Sequence, residues 1–194
     1  MRVLVVGATG VIGRAVAAAF SERHVVLRAS RGGDVAVDIT QPDSIRRMYQ
    51  RVGRLDAVVS CAGSAAWKPL TSLTDDDLQS TLSDKLMGQI NLVRFGIDHV
   101  NDNGVFVLTA GIFSRSPMPG VCALALVNGA LEAFARAAAF DLPRGIRINT
   151  ISPPFIQQTA EAMGLPGGIP AEKNAKAYVS LVEGNQTGQV VFNR

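Results

Sequence analysis

The sequence predicts an α/β domain: a doubly wound, parallel β-sheet with helices on both faces. Three observations predict it. Short, apolar, β-branched runs alternate along the chain with helical stretches. Those runs lack polar alternation, as strands buried on both faces require. The first run leads directly into Gly7-Ala8-Thr9-Gly10-Val11-Ile12-Gly13, a glycine loop that opens a helix.

Residues 3–6 form the first strand. A helix from 11 to about 22 follows, with Ile12, Ala15, Val16, Ala19 and Phe20 on one stripe. Residues 25–27 and 35–37 are the second and third strands, the third ending at Asp38. Pro42-Asp43-Ser44 opens a helix to about Val52. Residues 55–60 are the fourth strand and run into Cys61-Ala62-Gly63. Thr74 caps a long helix over 75–100, with Asp77 at capping-box spacing. Residues 105–109 are the fifth strand, and 120–140 a second long helix, apolar on nearly all sides. Residues 147–151 are the sixth strand, closed by Pro153-Pro154. The segment 155–170 has no period and reads as a loop with room for a short helix. A helix over 171–182 and a strand over 189–192 complete the pattern.

One connection is unusual. Between Leu27 and Val35 there is no room for a crossover helix. An extended link of that length spans at most about 25 Å, and a strand of four or five residues is only about 16 Å long. A bare loop therefore returns along the sheet, and that face lacks one helix.

Composition narrows the function. The chain has 194 residues, 47% hydrophobic and 18% charged, which suits one globular domain over 1–194 and excludes a disordered chain. Two His and two Cys are too few for a zinc scaffold, so no metal site is expected. Cys61 and Cys122 are far apart and unpatterned, which favours a reducing, cytoplasmic setting. A net charge of +3 from scattered residues does not suggest a nucleic-acid partner. The apolar run 121–127 is far shorter than a membrane span, and no apolar leader precedes the first strand, so no membrane partner is expected.

The glycine loop carries the first functional reading. Such glycines allow a tight turn, close approach to a pyrophosphate, and close packing of helix on sheet. The amides at the helix start then face phosphate oxygens. The same spacing also serves plain structural turns; the strand–loop–helix context favours a dinucleotide in a Rossmann-type fold. After the second strand stands Arg28-Ala29-Ser30-Arg31, where an acidic residue would hold an NAD ribose. Two guanidiniums and a hydroxyl suit a 2′-phosphate, so NADP(H) is favoured over NAD(H). Arg14 is placed to add a further positive charge.

With these motifs in place, the sequence resembles the short-chain dehydrogenase/reductase family along nearly its whole length. Residues 7–13 resemble its glycine loop, which puts Gly7, Thr9, Gly10, Val11, Ile12 and Gly13 at the cofactor. Asp38-Ile39 resembles the pair that contacts the adenine, and Cys61-Ala62-Gly63 the Asn-Ala-Gly beside the cofactor. Arg147-Ile148-Asn149-Thr150-Ile151-Ser152-Pro153 matches its sixth strand and brings Pro153 to the cofactor, although Pro154 stands where Gly is common. Thr187-Gly188-Gln189-Val190 resembles the start of its last strand, and Thr159 is placed to reach a cofactor phosphate or amide.

The family's chemistry uses Asn, Ser, and a Tyr-x-x-x-Lys pair, and this chain departs from it at every position. The resemblance puts Lys85 at the Asn position, Ala110 or Gly111 at the Ser position, Leu124 at the Tyr position and Asn128 at the Lys position. No Tyr-x-x-x-Lys occurs: Tyr49 is followed by Gly53 and Tyr178 by Val182. Lys85 is the candidate proton donor, because a desolvated lysine can act as acid or base; a solvated or paired lysine is the plainer reading. Thr109, Ser114 and Ser116 lie past the fifth strand, where a carbonyl would bind, but such positions are commonly plain polar loop. Cys122 reads as core, and His24 and His99 receive no role.

Three readings follow: an NADP(H)-dependent oxidoreductase with altered catalytic residues acting on a small molecule, a non-catalytic NADP(H)-binding module serving as redox sensor or partner subunit, or a scaffold that has lost the cofactor. The apolar helices over 75–100 (Leu78, Leu82, Leu86, Ile90, Val93, Ile97) and 120–140 predict a homodimer, or a tetramer built from it, through a four-helix interface.

Overall fold

The computed structural model describes residues 1–192. Its strands are β1 (Arg2–Val6), β2 (Val25–Ser30), β3 (Val35–Ala36), β4 (Leu55–Ser60), β5 (Val100–Thr109), β6 (Arg147–Ile151) and β7 (Val190–Val191). They form one sheet in the order β3-β2-β1-β4-β5-β6-β7, every pair parallel. The order reverses between β1 and β4, which opens a crevice at the carboxyl ends of those strands. The helices are α1 (Val11–Ser21), α2 (Pro42–Val52), α3 (Asp75–Thr81), α4 (Gly88–Gly96), α5 (Cys122–Asp141), α6 (Gln157–Ala162) and α7 (Ala171–Glu183). The α/β fold expected from the sequence is the fold observed.

Alternation along β1 divides the core into two. Val3 and Val5 pack with Val16 and Phe20 of α1 and Tyr178 and Val182 of α7. Leu4 and Val6 pack with Ile45 and Tyr49 of α2, Leu92 of α4, and Leu131 and Ala135 of α5. Tyr49 is fully buried, and its hydroxyl donates to the Leu92 carbonyl at 2.6 Å, joining α2 to α4. Burial pushes its phenol well above the usual range, so it stays neutral. A Cβ on Gly96 would lie 2.5 Å from that hydroxyl, so only glycine lets the helices approach this closely. α5 is long and apolar enough to cross a membrane by composition, with a mean hydropathy of 1.3. It nevertheless commits Leu131 and Ala135 to the core.

The short connection before β3 behaves as expected. β2 runs to Ser30, beyond the expected 25–27, and a tight turn returns the chain into parallel register, Ala29 beside Val35. β3 is only two residues long, so a bare loop suffices. The α1 face consequently carries only α1 and α7. Arg28 shares the face of Val26 on β2 and stands exposed there.

Other boundaries shift. The helix expected over 75–100 is not continuous: a π-helical turn, Leu82–Met87, separates α3 from α4, and a 3₁₀ turn, Ile97–His99, ends it. Thr74 and Asp77 do form the reciprocal capping box. Strand β5 starts at Val100 rather than 105, because the turn-like Asn101-Asp102-Asn103-Gly104 is absorbed as a register shift, with Asn103 at φ 59°. Gly120 adopts φ +84°, which delays α5 to Cys122. Cys122 is therefore an exposed first-turn residue, not core. The last strand shortens to Val190–Val191, and the loop over 155–170 contains α6.

Candidate functional site

The glycine loop is built by backbone meeting backbone. Gly7, at φ +82°, and Ala8 both donate to the Ala29 carbonyl, at 2.8 and 3.2 Å. A Cβ on Gly7 would lie 2.8 Å from the backbone of Cys61 and Ala62, at the end of β4. A Cβ on Gly13 would lie 2.0 Å from the Gly7 carbonyl oxygen, so α1 seats directly on the loop. Gly10 differs: its nearest neighbour would be the Gly7 oxygen at 3.4 Å, an ordinary contact. The chain itself places little demand on glycine there; the open space lies in the cleft that Gly10 lines. Gly10 also begins α1 without a capping side chain, leaving the amides of the first turn without a side-chain acceptor.

The cleft encloses about 310 Å³. Of the residues expected at the cofactor, Gly7, Thr9, Gly10, Ser30, Arg31, Asp38, Ile39, Cys61, Ala62 and Gly63 line it. Val6, Gly32, Val37, Thr40, Ser64 and Asp84 line it as well, although no sequence motif marked them. Val11, Ile12 and Gly13 support the loop from the helix, and Pro153 lies buried at the end of β6, its carbonyl accepting the Ile112 amide at 2.9 Å. Arg28 does not line the cleft, since it projects from the bare face of β2. Arg14 faces the groove between α1 and α7 instead.

Two features of the cleft fit a nicotinamide dinucleotide bearing a phosphate. The cradle over Gly10 is open. Ser30 is 7% exposed, and its hydroxyl has no hydrogen-bond partner among the described residues. The turn after it presents Arg31 to the same space. Opposite, Asp38 is held by the Thr40 amide and hydroxyl at 3.0 and 2.8 Å, while its own amide donates to Ser44 at 3.0 Å.

The π-helical turn shapes the other end. It directs Asp84 to Ser64, whose hydroxyl and amide donate to Oδ2 at 2.6 and 3.3 Å. The next residue, Lys85, packs so closely on Gly63 that a Cβ there would lie 2.8 Å from the lysine Cα. Its Nζ donates to the Ala110 carbonyl at 3.2 Å. Burial lowers the Lys85 amine to about 8, against the opposing pull of Asp84. Asn128 is 1% exposed; its Nδ2 would lie 2.9 Å from a Cβ on Gly111, and its Oδ1 is unpartnered among the described residues. Leu124 stands one turn earlier on α5. Lys85, Ala110, Gly111 and Asn128 thus converge, as their places in the sequence predicted.

The remaining polar candidates are engaged. The Thr109 hydroxyl bonds to the Ser60 carbonyl and the Tyr178 hydroxyl, and Gln89 holds the Thr109 backbone in both directions at 2.9 Å. Burial pushes the Cys61 thiol up to about 12, so it is no nucleophile near neutral pH. Ser114 donates to buried Glu132 at 2.7 Å, and Ser116 is exposed. Thr159 lies in the first turn of α6. His24 pairs with Glu183 at 2.9 Å and His99 stacks on Tyr49 at 5.1 Å, both outside the cleft. No cluster of three His, Cys, Asp or Glu among the described residues is arranged to hold a metal.

Comparison with known proteins agrees with this geometry. Residues 14–190 match the family model described as enoyl-(acyl carrier protein) reductase, and the chain belongs to the short-chain dehydrogenase/reductase family. That family comprises oxidoreductases that bind a nicotinamide cofactor. The chain is 32% identical to hydroxynaphthalene reductase arp2 of Aspergillus fumigatus over 124 residues, 61% of this chain and 45% of that protein. It is 26% identical to an uncharacterized oxidoreductase of Thermotoga maritima over 199 residues, 89% of this chain and 76% of that one. The chain spans about half the length of the hydroxynaphthalene reductases it matches. Among solved structures, the protein lin1944 from Listeria innocua superposes with a TM-score of 0.97 at 44% identity over the whole of both chains. A small-chain dehydrogenase in complex with NADPH superposes with a TM-score of 0.89 at 25% identity, over 100% of this chain and 96% of that one.

The lowered Lys85 amine has a consequence for stability. Below pH 8 the folded state bears the cost of a desolvated charge. Between pH 8 and the unfolded value of about 10.4 the native state sheds that proton first, so stability rises with pH. Lys85→Met removes the cost. The variant is expected to exceed the wild type by about 1–3 kcal/mol at pH 7 and to lose that advantage by about pH 10. Urea unfolding of both proteins at the two pH values measures it; a pH-independent difference would contradict a desolvated Lys85.

Proposed function

We propose that the protein is an NADP(H)-dependent oxidoreductase that interconverts a carbonyl and an alcohol, with Lys85 exchanging the proton at the substrate oxygen. The observation that carries the cofactor assignment is the buried, unpartnered Ser30 hydroxyl beside Arg31 at the end of β2. Asn128 Oδ1 is an acceptor available to a cofactor hydroxyl.

The dinucleotide, when bound, supplies a hydride to the substrate carbon. The chain supplies the rest. Glycine-loop amides and Arg31 bind phosphate, and Asp38 and Ile39 form the wall expected at the adenine. Lys85 Nζ, protonated below about pH 8, gives a proton to the oxygen and regains one from solvent. Hydride and proton together convert the carbonyl to the alcohol.

Leu124 supports a second reading, a binding module without turnover, because a leucine cannot donate a proton where the family uses tyrosine. We also propose a homodimer, or a tetramer built from it, through α5. Leu126 is 52% and Phe140 92% exposed on its outer stripe, with Cys122, Ala133 and Ala137 between and beside them. Leu78, Leu82, Leu86, Ile90 and Ile97 are half-buried within the chain and Val93 is wholly in the core, so α5 offers most of the free apolar surface. Two free thiols suit the reducing cytoplasm proposed as its location.

Titration of nucleotide fluorescence is expected to show NADPH binding at least tenfold more tightly than NADH, with Arg31→Ala erasing most of that preference; equal binding of the two cofactors would refute the phosphate site. Carbonyl reduction is expected to fall as pH rises through about 8, and Lys85→Ala to lose about a hundredfold or more in kcat. Tight NADPH binding with no turnover on any carbonyl would select the binding module. Sizing chromatography is expected to show a dimer or tetramer that Phe140→Lys dissociates; a monomeric wild type at micromolar concentration would rule the interface out.

A further inference from the structure

Trp67, Phe113 and Phe155 come from three different loops, those after β4, β5 and β6, and meet in one cluster. Ring centroids are 5.4 Å apart for Trp67 and Phe113, 5.8 Å for Trp67 and Phe155, and 6.2 Å for the two phenylalanines. The rings meet at 74°, 52° and 58°, so the cluster presents both faces and edges. All three side chains are half-buried and belong to neither core cluster. A ring cluster outside the core does not serve the sheet.

Chain connectivity ties the cluster to the Lys85 end of the cleft. Trp67 lies four residues beyond Gly63, which packs on Lys85, and Phe113 three beyond Ala110, which accepts from Lys85. The amide of Ile112 is tied to the carbonyl of Pro153, two residues before Phe155. A Cβ on Gly120, at φ +84°, would lie 3.0 Å from the indole, so the turn that leads into α5 lies against Trp67. The same three loops each expose one further apolar side chain: Leu70 at 70%, Met118 at 43% and Met163 at 46%. Two of the nearby cations are engaged. Lys68 is held by both Asp77 oxygens at 2.8 and 2.7 Å, and Arg115 stacks on Phe192 at 3.7 Å and lies 4.0 Å from Glu132.

We infer that this cluster selects a carbonyl compound bearing an aromatic ring rather than a saturated one. A fourth ring adds edge-to-face and offset contacts that a saturated ring of equal size cannot make. The inference rests on the proposal that the adjoining cleft holds the dinucleotide and Lys85 the proton.

Trp67 is the one tryptophan of the chain, so its emission reports on the cluster directly. The test titrates the protein, saturated with NADP⁺ so that no reduction occurs, with 1-tetralone and with 1-decalone, the saturated ketone on the same skeleton. 1-Tetralone is expected to change Trp67 emission and to bind about tenfold more tightly than 1-decalone. Phe113→Leu and Phe155→Leu are each expected to shrink that preference severalfold while leaving NADPH affinity, measured on the nucleotide's own fluorescence, unchanged. Equal affinity for the two ketones, tighter binding of 1-decalone, or unaltered Trp67 emission would overturn the inference. Loss of NADPH binding with the 1-tetralone response intact would strike the cofactor reading alone and leave the aromatic wall standing.

Discussion

The site depends on backbone approaching backbone at Gly7 and Gly13. A Cβ at Gly7 would meet the turn after β4, and one at Gly13 the carbonyl of Gly7 itself. Contacts of 2.8 and 2.0 Å are not relieved by a rotamer change, because the opposing atoms are main chain. Three pieces are therefore locked together: the loop after β1, the start of α1 and the end of β4. Their junction falls where the strand order reverses, so the constraint that seats the helix also opens the crevice. Gly10, under no comparable pressure, is the glycine that faces the space left open.

A second constraint holds the reactive end. Gln89 grips the backbone of Thr109 from both sides, and the Thr109 hydroxyl links β4 to Tyr178 of α7. Buried polar networks fix geometry when every member is satisfied. This one spans both faces of the sheet and sets the end of β5, where Ala110 accepts from Lys85. Among the described residues, the buried side-chain atoms without a hydrogen-bond partner include Ser30 Oγ and Asn128 Oδ1, alongside His24 Nδ1, Ser60 Oγ and Thr150 Oγ1. Of these residues, Ser30 lines the cleft.

Much of this was legible from residue order. The glycine loop, β4 and β6 fall where their apolar runs place them, because a strand buried on both faces leaves an unbroken signature. The bare connection after β2 followed from length alone, and the capping box of Thr74 and Asp77 from spacing. The interruption of the long helix was harder to see. Ser80 and Ser83 turn their hydroxyls back onto the Asp77 and Ser80 carbonyls at 3.1 Å, a local competition that accompanies the π-helical turn but seldom breaks a helix by itself. Asp84 reaching Ser64, and Trp67 reaching Phe155, are contacts between distant segments that no local pattern encodes. Arg28 was misleading for a related reason: the helix that would cover its face is missing, so its strand position implies solvent rather than ligand.

Within the π-helical turn, adjacent residues of opposite charge go to separate partners. In a regular helix Asp84 and Lys85 would project about 100° apart from one surface. Here Asp84 is committed to Ser64, while Lys85 runs to the Ala110 carbonyl, and the two make no ion pair among the described residues. A direct pair would hold the lysine charged through any accessible pH. A carbonyl is a weaker partner, so burial outweighs Asp84 and brings the amine to about 8. An amine in that range can both give and take a proton near neutral pH. The turn thus sends a carboxylate to Ser64 and an amine to the Ala110 carbonyl, a separation that the proposed proton exchange by Lys85 requires.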